Sequence, residues 1–446
     1  MTAPKLTLRA WQTAALKTLA GWNQGPFLLS AAPGAGKTIP SLVYAKRLLD
    51  AGIVRHVHVV CPTTPLTRQW AEAAGRIGVQ LAPDSDELHP PRDFHGIVAT
   101  YARVAASARR WAPQCGERTL VIADECHHLG DELAWGEGFT RAFAATSRWL
   151  LLSGTPFRSD ECAIAGVRYE HGEAVSDVSY GYADAVRDGI CRPVAFIPYD
   201  GTLSWQSGED VIESSFEDAL SGREASRRYR TAISTELADG LPRILRAAHE
   251  RLELIRADGD RDAGGLVVTA DAGHARRVAA TLKQITGRSP VVVVHTDARA
   301  AQKLRAFGKG RERWIVAVNM VSEGVDIPRL RVGVYATAAK TPLIFRQIVG
   351  RFVRTRAGRP AELSYLFLPA DRLLRRHAAD VEEELRHVLK APSEAEAGLL
   401  DEVCERPAGV PDLPNLFTPL AADVAPQLAL FGGGPPPPAV RPVAFA

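Results

Sequence analysis

Lysine is scarce in this chain: only 9 of its 54 basic residues are lysine and the other 45 are arginine. That bias follows genomic base composition first and chemistry second, so an isolated arginine carries little weight. Charge of one sign is also lacking, because 51 acidic residues bring the net charge to +3. Such a balance is too small for strong long-range attraction to a polyanion, and any such binding must use a local surface. Cysteine is sparse and scattered, at Cys61, Cys115, Cys126, Cys162, Cys191 and Cys404, without a C-x-x-C pair. Neither a zinc site nor a disulfide framework is indicated, and a reducing compartment is expected. The N-terminus lacks a basic-then-apolar leader, and no apolar run approaches the roughly 20 residues of a membrane span. A cytoplasmic protein without membrane association is the expectation. What is present is ordinary globular material: 46% hydrophobic and 24% charged residues over 446 positions. That length accommodates two or three domains, each with its own core.

Between about residues 25 and 155, short aliphatic runs alternate with helical patterns, as in a parallel sheet with crossover helices. The runs are Phe27 to Leu29, His56 to Val60, Gly96 to Ala99, Leu120 to Ala123 and Trp149 to Leu152. Each ends where a polar or Gly/Pro motif begins, which is where open α/β sheets bind ligands. A second alternating region contains Leu266 to Val268, Val291 to Val294, Trp314 to Val318 and Val332 to Tyr335. The expected domains are therefore 1–180 and 189–390, the second with a polar accessory helical segment over about 204–260. Residues 391–446, rich in Ala, Pro and acidic residues, read as a flexible tail unable to offset its ordering entropy.

Ala31-Ala32-Pro33-Gly34-Ala35-Gly36-Lys37-Thr38 follows the first run and opens a helical pattern, the setting of a phosphate-binding P-loop. Its first position is alanine rather than glycine, and a plain Gly-rich turn is the alternative. In a P-loop, backbone N–H groups and the helix N-terminus receive phosphates. Lys37 would reach the β- and γ-phosphates of ATP and Thr38 would ligate Mg2+. Asp124-Glu125-Cys126-His127 ends the fourth run. Adjacent carboxylates there are costly unless a cation or a proton transfer uses them. Asp124 would hold Mg2+ and Glu125 would orient and deprotonate the attacking water. Cys126, His127 and His128 are consecutive and cannot all converge on zinc.

With Ser153-Gly154-Thr155-Pro156 and the segments below, these motifs resemble the series of superfamily 2 helicases across residues 8 to 354. Leu8-Arg9-Ala10-Trp11-Gln12 and the Asp-Glu-x-His box resemble the group of type III restriction motor subunits and excision-repair helicases. The resemblance implies two RecA-like parallel-sheet domains of the α/β class with an ATP cleft between them. It implies adenine recognition by Gln12 with Arg9 nearby, and coupling of the ATP site to motion through His127, Ser153 and Thr155. It also implies nucleic-acid contacts from Pro62, Thr63, Thr100, Tyr101, Thr269 and Asn319. Taken alone, the first four are residues of loops after strands, suited to phosphate oxygens or to plain turns.

Thr341-Pro342 reads as a helix start, with spacings that put Gln347, Arg351 and Arg354 on one face. Such arginines can neutralise charge developing on a γ-phosphate, although a solvated basic face accounts equally well for them in isolation. The resemblance places Gly324 and Asp326, of Val321 to Pro328, near the nucleotide. In the tail, Gln427-Leu428-Ala429-Leu430-Phe431 resembles the motif by which bacterial DNA-processing proteins dock on the sliding clamp, with chance in an Ala/Leu-rich stretch as the competing explanation. The expected function is an ATP-dependent DNA helicase or translocase. RNA as the substrate is one alternative, and a nucleotide-gated scaffold without turnover is another.

Overall fold

The computed structural model describes residues 7–83, 89–131, 133–154, 163–171, 173–207, 209–220, 222–294, 296–297, 299–318, 327–356, 362–389 and 417–426. Its described residues divide into two compact units. One holds residues up to 191 together with 341–355, and the other holds 192–318, 327–340 and those from 356 onward. The stretch 341–355, which sequence order assigns to the second region, therefore belongs to the first unit.

The first unit is built on strands β1 (Gly25–Ala31), β2 (His56–Cys61), β3 (Leu81–Pro83), β4 (Gly96–Thr100), β5 (Thr119–Asp124) and β6 (Arg148–Ser153). The small hairpin β7 (Arg168–Glu170) and β8 (Glu173–Val175) stands apart, and β9 (Val178–Tyr180) returns to the main sheet. The order β3-β4-β2-β5-β6-β1-β9 is parallel throughout. A parallel sheet has helices on its faces, so central strands are apolar without alternation. All six residues of β5 are buried, and Val121 and Ala123 pack with Leu28, Val60, Ile97, Trp111, Phe139 and Phe143 in one core. The strand order puts β5 and β6 beside β1, so the loops after all three open at one edge.

The second unit carries β10 (Val194–Ser207), β11 (Asp210–Ser214), β12 (Gly264–Thr269), β13 (Val291–Val293), β14 (Trp314–Val318), β15 (Leu330–Ala336), β16 (Ser364–Pro369) and β17 (Phe417–Pro426). The path β11-β10-β16-β15-β12-β14-β13 is parallel except at β11, and β17 pairs antiparallel with β10. Arg329 lies inside this unit, where its guanidinium donates to the Phe307 and Asp262 carbonyls and sits 4.0 Å over the Phe307 ring.

Two expectations need correction. Residues 204–207 and 210–214 are not helical: they belong to the β10–β11 hairpin, in which Leu203 and Trp205 are fully buried, and among the described residues up to 260 helices follow only at Gly222–Ala232 and Leu241–Ala257. The region read as flexible tail contributes β17, held where Gly201 has no side chain. A Cβ there would lie 1.6 Å from the Asp423 carbonyl oxygen. Buried Val424 and an Arg243–Asp423 ion pair at 2.7 Å fasten the strand further.

Candidate active site

The P-loop leaves β1 and enters the helix Thr38–Asp50. Gly34 and Gly36 have φ of +83° and +90°, a left-handed region costly for any other residue. Space is tight as well: a Cβ on Gly36 would meet Gln12 Nε2 at 3.1 Å, and one on Gly34 would meet Arg354 Cγ at 3.1 Å. Arg9 and Gln12 brace the loop from the helix Ala10–Ala20. Arg9 Nη1 donates to the Ala35 carbonyl at 2.7 Å, and Gln12 Nε2 donates to the Gly36 carbonyl at 3.0 Å. Gln12 Oε1 accepts from the Arg9 amide at 2.9 Å. In a trans peptide the C=O and the following N–H point in opposite directions, so these bonds turn the N–H groups of Gly36 and Lys37 away from the brace. A polyanion is what such freed donors suit.

Lys37 Nζ lies 3.1 Å from Glu125 Oε1. Gly154 makes room for the ammonium, since a Cβ there would stand 3.3 Å from it and from the Pro33 ring. Glu125 adopts φ of +52° without being glycine, an arrangement costing about 1–2 kcal/mol and pointing to a functional constraint. Burial would raise its carboxyl pKa, but Lys37 and then His127 outweigh that and hold it below the ordinary carboxylate range. Asp124 moves the other way, pushed up by burial and by the neighbouring Glu125 charge. Its Oδ2 accepts from Trp70 Nε1 at 2.7 Å, and its backbone carbonyl accepts from the Tyr101 hydroxyl at 2.7 Å. The two adjacent carboxylates at this strand end therefore differ in protonation preference.

His127 is buried, and desolvation holds its imidazole down to about 3 despite the Glu125 carboxylate, so the ring is neutral at pH 7. Its Nδ1 stands 3.3 Å from Ser153 Oγ and 3.5 Å from Glu125 Oε2, while Nε2 stands 3.3 Å from Gln347 Nε2. With the Gln347 amide as donor, Nε2 accepts and the proton resides on Nδ1, facing Ser153 and Glu125. Gln347 lies on the helix Pro342–Phe352, whose N-cap Thr341 side chain accepts from the Ile344 amide and whose proline fills the first turn, as the sequence indicated. Gly350 of this helix abuts Pro33, and a Cβ there would come within 2.9 Å of the Pro33 Cβ. The helix ends at Phe352, so Arg354 does not share its face with Gln347 and Arg351. It is instead bridged in β fashion to Cys191, with its side chain laid on Gly34.

The site thus gathers Arg9, Gln12, Pro33 to Thr38, Asp124, Glu125, His127, Ser153, Gln347 and Arg354. Of the residues expected along a nucleic-acid track, Tyr101 is buried with its hydroxyl engaged, and Thr269 is buried with its hydroxyl donating to the Ala317 carbonyl. Neither side chain faces outward. Thr100 caps the helix Tyr101–Ala106 by accepting from the Arg103 amide, and Thr63 caps Thr64–Ile77 without a side-chain bond. Thr155, Asn319, Gly324, Asp326, Gln427, Leu428, Leu430 and Phe431 lie outside the described residues. Sequence reading missed Trp70, whose indole holds Asp124 from mid-helix. Nothing in its own neighbourhood distinguishes it from a core tryptophan.

The residues fit a nucleotide with its divalent ion: the loop donors and Lys37 suit phosphates, and Thr38 with Asp124 would hold Mg2+. Residues 5–158 match the family described as type III restriction enzyme, res subunit, and residues 264–356 match the helicase conserved C-terminal domain. An uncharacterized protein of Mycobacterium tuberculosis is 41% identical over 394 residues, which is 86% of this chain. The chain spans 65% of that protein, less than two thirds of its length. The DNA 3'-5' translocase XPB2 of Sulfurisphaera tokodaii is 26% identical over 377 residues, 78% of this chain and 79% of that protein. The ATP-dependent RNA helicase dbp3 of Schizosaccharomyces pombe is 23% identical over 391 residues, 81% of this chain and 59% of that protein. Among solved structures, a fragment described as an HsdR subunit of a type I restriction enzyme from Vibrio vulnificus superposes with a TM-score of 0.58 at 17% identity, covering 84% of this chain and 67% of its own. The chain belongs to the superfamily 2 helicases, in the group related to restriction-enzyme motor subunits, and its two parallel sheets are RecA-like.

Proposed function

We propose that this chain hydrolyses ATP and uses the energy to move along DNA or to separate its strands. The observation that carries the proposal is the continuous set of contacts Lys37–Glu125–His127–Gln347, which links the P-loop lysine and the candidate base to the helix bearing Arg351. In this reading Lys37 and the loop amides receive the phosphates, and Glu125, kept ionised by Lys37, takes a proton from the attacking water. Thr38 and Asp124 would hold the divalent ion, which would supply positive charge beside the phosphates. Arg351 and Arg354 supply further positive charge to the γ-phosphate. DNA is preferred over RNA because the translocase relative is similar over more than three quarters of both chains, whereas the RNA helicase relative is matched over a smaller share of its length.

The test is ATP turnover measured without nucleic acid, with duplex and single-stranded DNA, and with RNA. DNA should stimulate turnover, Lys37→Ala should abolish it, and Glu125→Gln should lower it at least about 100-fold while ATP still binds. A rate indifferent to DNA removes the motor reading, and preferential stimulation by RNA reverses the choice of substrate. Binding without multiple turnover leaves a nucleotide-gated scaffold. Docking on the bacterial sliding clamp through residues 427–431 belongs to the same proposal, and deletion of those residues should release the chain from immobilised clamp.

A further inference from the structure

The two loops expected to follow a nucleic-acid strand share one structural partner. Thr63 caps the helix Thr64–Ile77, and Trp70, seven residues further along it, donates its indole N–H to Asp124 Oδ2 at 2.7 Å. Thr100 caps the helix Tyr101–Ala106, and Tyr101, the next residue, donates its hydroxyl to the Asp124 carbonyl at 2.7 Å. Both aromatic side chains are almost wholly buried, at 2% and 1% exposure, so neither can report on solvent or touch a ligand itself. Their bonds reach one residue from opposite sides of its chemistry, the carboxylate in one case and the backbone in the other. Trp70 thus fixes one oxygen of the carboxylate, because the indole engages Oδ2.

We propose that Trp70 and Tyr101 are positioning residues through which occupancy of the loops at Pro62-Thr63 and Thr100 sets the orientation of the Asp124 carboxylate, and so the rate of ATP hydrolysis. This rests on the ATPase reading above. The Thr64–Ile77 helix is a stiff lever: at 1.5 Å per residue its capped end and Trp70 lie about 10 Å apart, and a small displacement of the cap by a phosphate is carried to the indole. A buried hydrogen bond to a carboxylate is directional, so a modest shift at Nε1 turns Asp124 or weakens its hold. Tyr101 offers the shorter route, with one peptide between the Thr100 cap and its own backbone.

The experiment compares wild type, Trp70→Phe and Tyr101→Phe by two measurements. The first is the ratio of ATP turnover with and without DNA. The second is Mn2+ binding in the presence of ADP, followed by electron paramagnetic resonance, which reads the carboxylate without turnover. Trp70→Phe should weaken Mn2+ binding several-fold and cut DNA stimulation about 10-fold, the effect of removing one charge-assisted bond. Tyr101→Phe should cut stimulation in the same direction with a smaller change in Mn2+ affinity. A folded Trp70→Phe variant with wild-type values overturns the proposal, as does weakened Mn2+ binding with undiminished stimulation. Should Trp70→Phe not fold, Tyr101→Phe decides, because it loses one hydroxyl only, and unchanged stimulation overturns the coupling. Wild-type turnover that ignores DNA defeats the earlier reading, and this coupling with it, before any variant is compared.

Discussion

Replacing Gly350 by alanine separates what the helix Pro342–Phe352 contributes to folding from what it contributes to chemistry. Alanine in place of glycine within a helix gains up to about 1 kcal/mol of intrinsic stability. Here the added methyl would meet Pro33 Cβ at 2.9 Å and Cγ at 3.0 Å, on a ring that cannot swing aside because it is closed onto the backbone. Restoring ordinary contact requires a retreat of about 0.5 Å, and such overpacking costs about 1–3 kcal/mol. The first term offsets part of the second and leaves a net loss of up to about 2 kcal/mol, so the melting temperature should fall by only a few degrees. The geometry does not cancel. Gln347 sits 3.3 Å from His127 Nε2 on the same rigid helix, and a retreat of about 0.5 Å takes that pair beyond hydrogen-bonding distance. Loss of one such bond in the reacting state is worth about 1.4 kcal/mol, a tenfold drop in turnover. The assay is DNA-stimulated kcat beside a thermal melt. Full turnover in Gly350→Ala would show that close approach of this helix to the P-loop has no part in catalysis.

Gly36→Ala forces an L residue to φ of +90° and sets a methyl 3.1 Å from Gln12 Nε2, so nucleotide affinity should fall about tenfold in a fluorescent-nucleotide titration; unchanged affinity refutes the brace. Stability should also depend on pH through two buried histidines, His58 and His127, each depressed to about 3 by desolvation. A group with a depressed folded pKa contributes stability that is fully present above its unfolded value of about 6.5 and is lost as pH falls toward 3. Each ring costs up to about 2 kcal/mol between pH 6.5 and pH 5. Asp124, shifted upward, opposes this in part, because a raised pKa favours the folded state as pH falls through that value. Urea unfolding at pH 7 and pH 5 should show the net loss, and equal stabilities refute it.

Sequence alone carried the framework further than the detail. Continuous aliphatic runs mark central parallel strands because both faces of such strands are covered, and all nine named runs fall in strands, apart from Val294 at the end of one. Short edge strands such as Leu81–Pro83 and Val178–Tyr180 bury too little to leave a periodic trace. The β10–β11 hairpin resembles helix in sequence because its polar and charged residues dominate the pattern, while the two residues that anchor it, Leu203 and Trp205, are few. At the site, the placement of Gly34, Gly36, Lys37 and Glu125, which depends on local loop geometry, is legible from their motifs. Trp70 was not, since its partner is 54 positions away and packing alone brings them together. Arg354 was placed on a helix face because spacing cannot reveal where a helix ends, and the bridge to Cys191 takes over there.

The docking of β17 bears on how the chain acquires its shape. Between Leu203 and Ser207 both hydrogen-bonding edges of β10 are occupied, one by its immediate successor and one by the last of the described elements to be translated. A ribosome-bound nascent chain would therefore display a naked strand edge until residues 208–416 had been made, the kind of surface that other extended peptides readily seize. The absent side chain at Gly201 keeps that edge accessible to its proper partner, at the expense of leaving it open to others until that partner emerges.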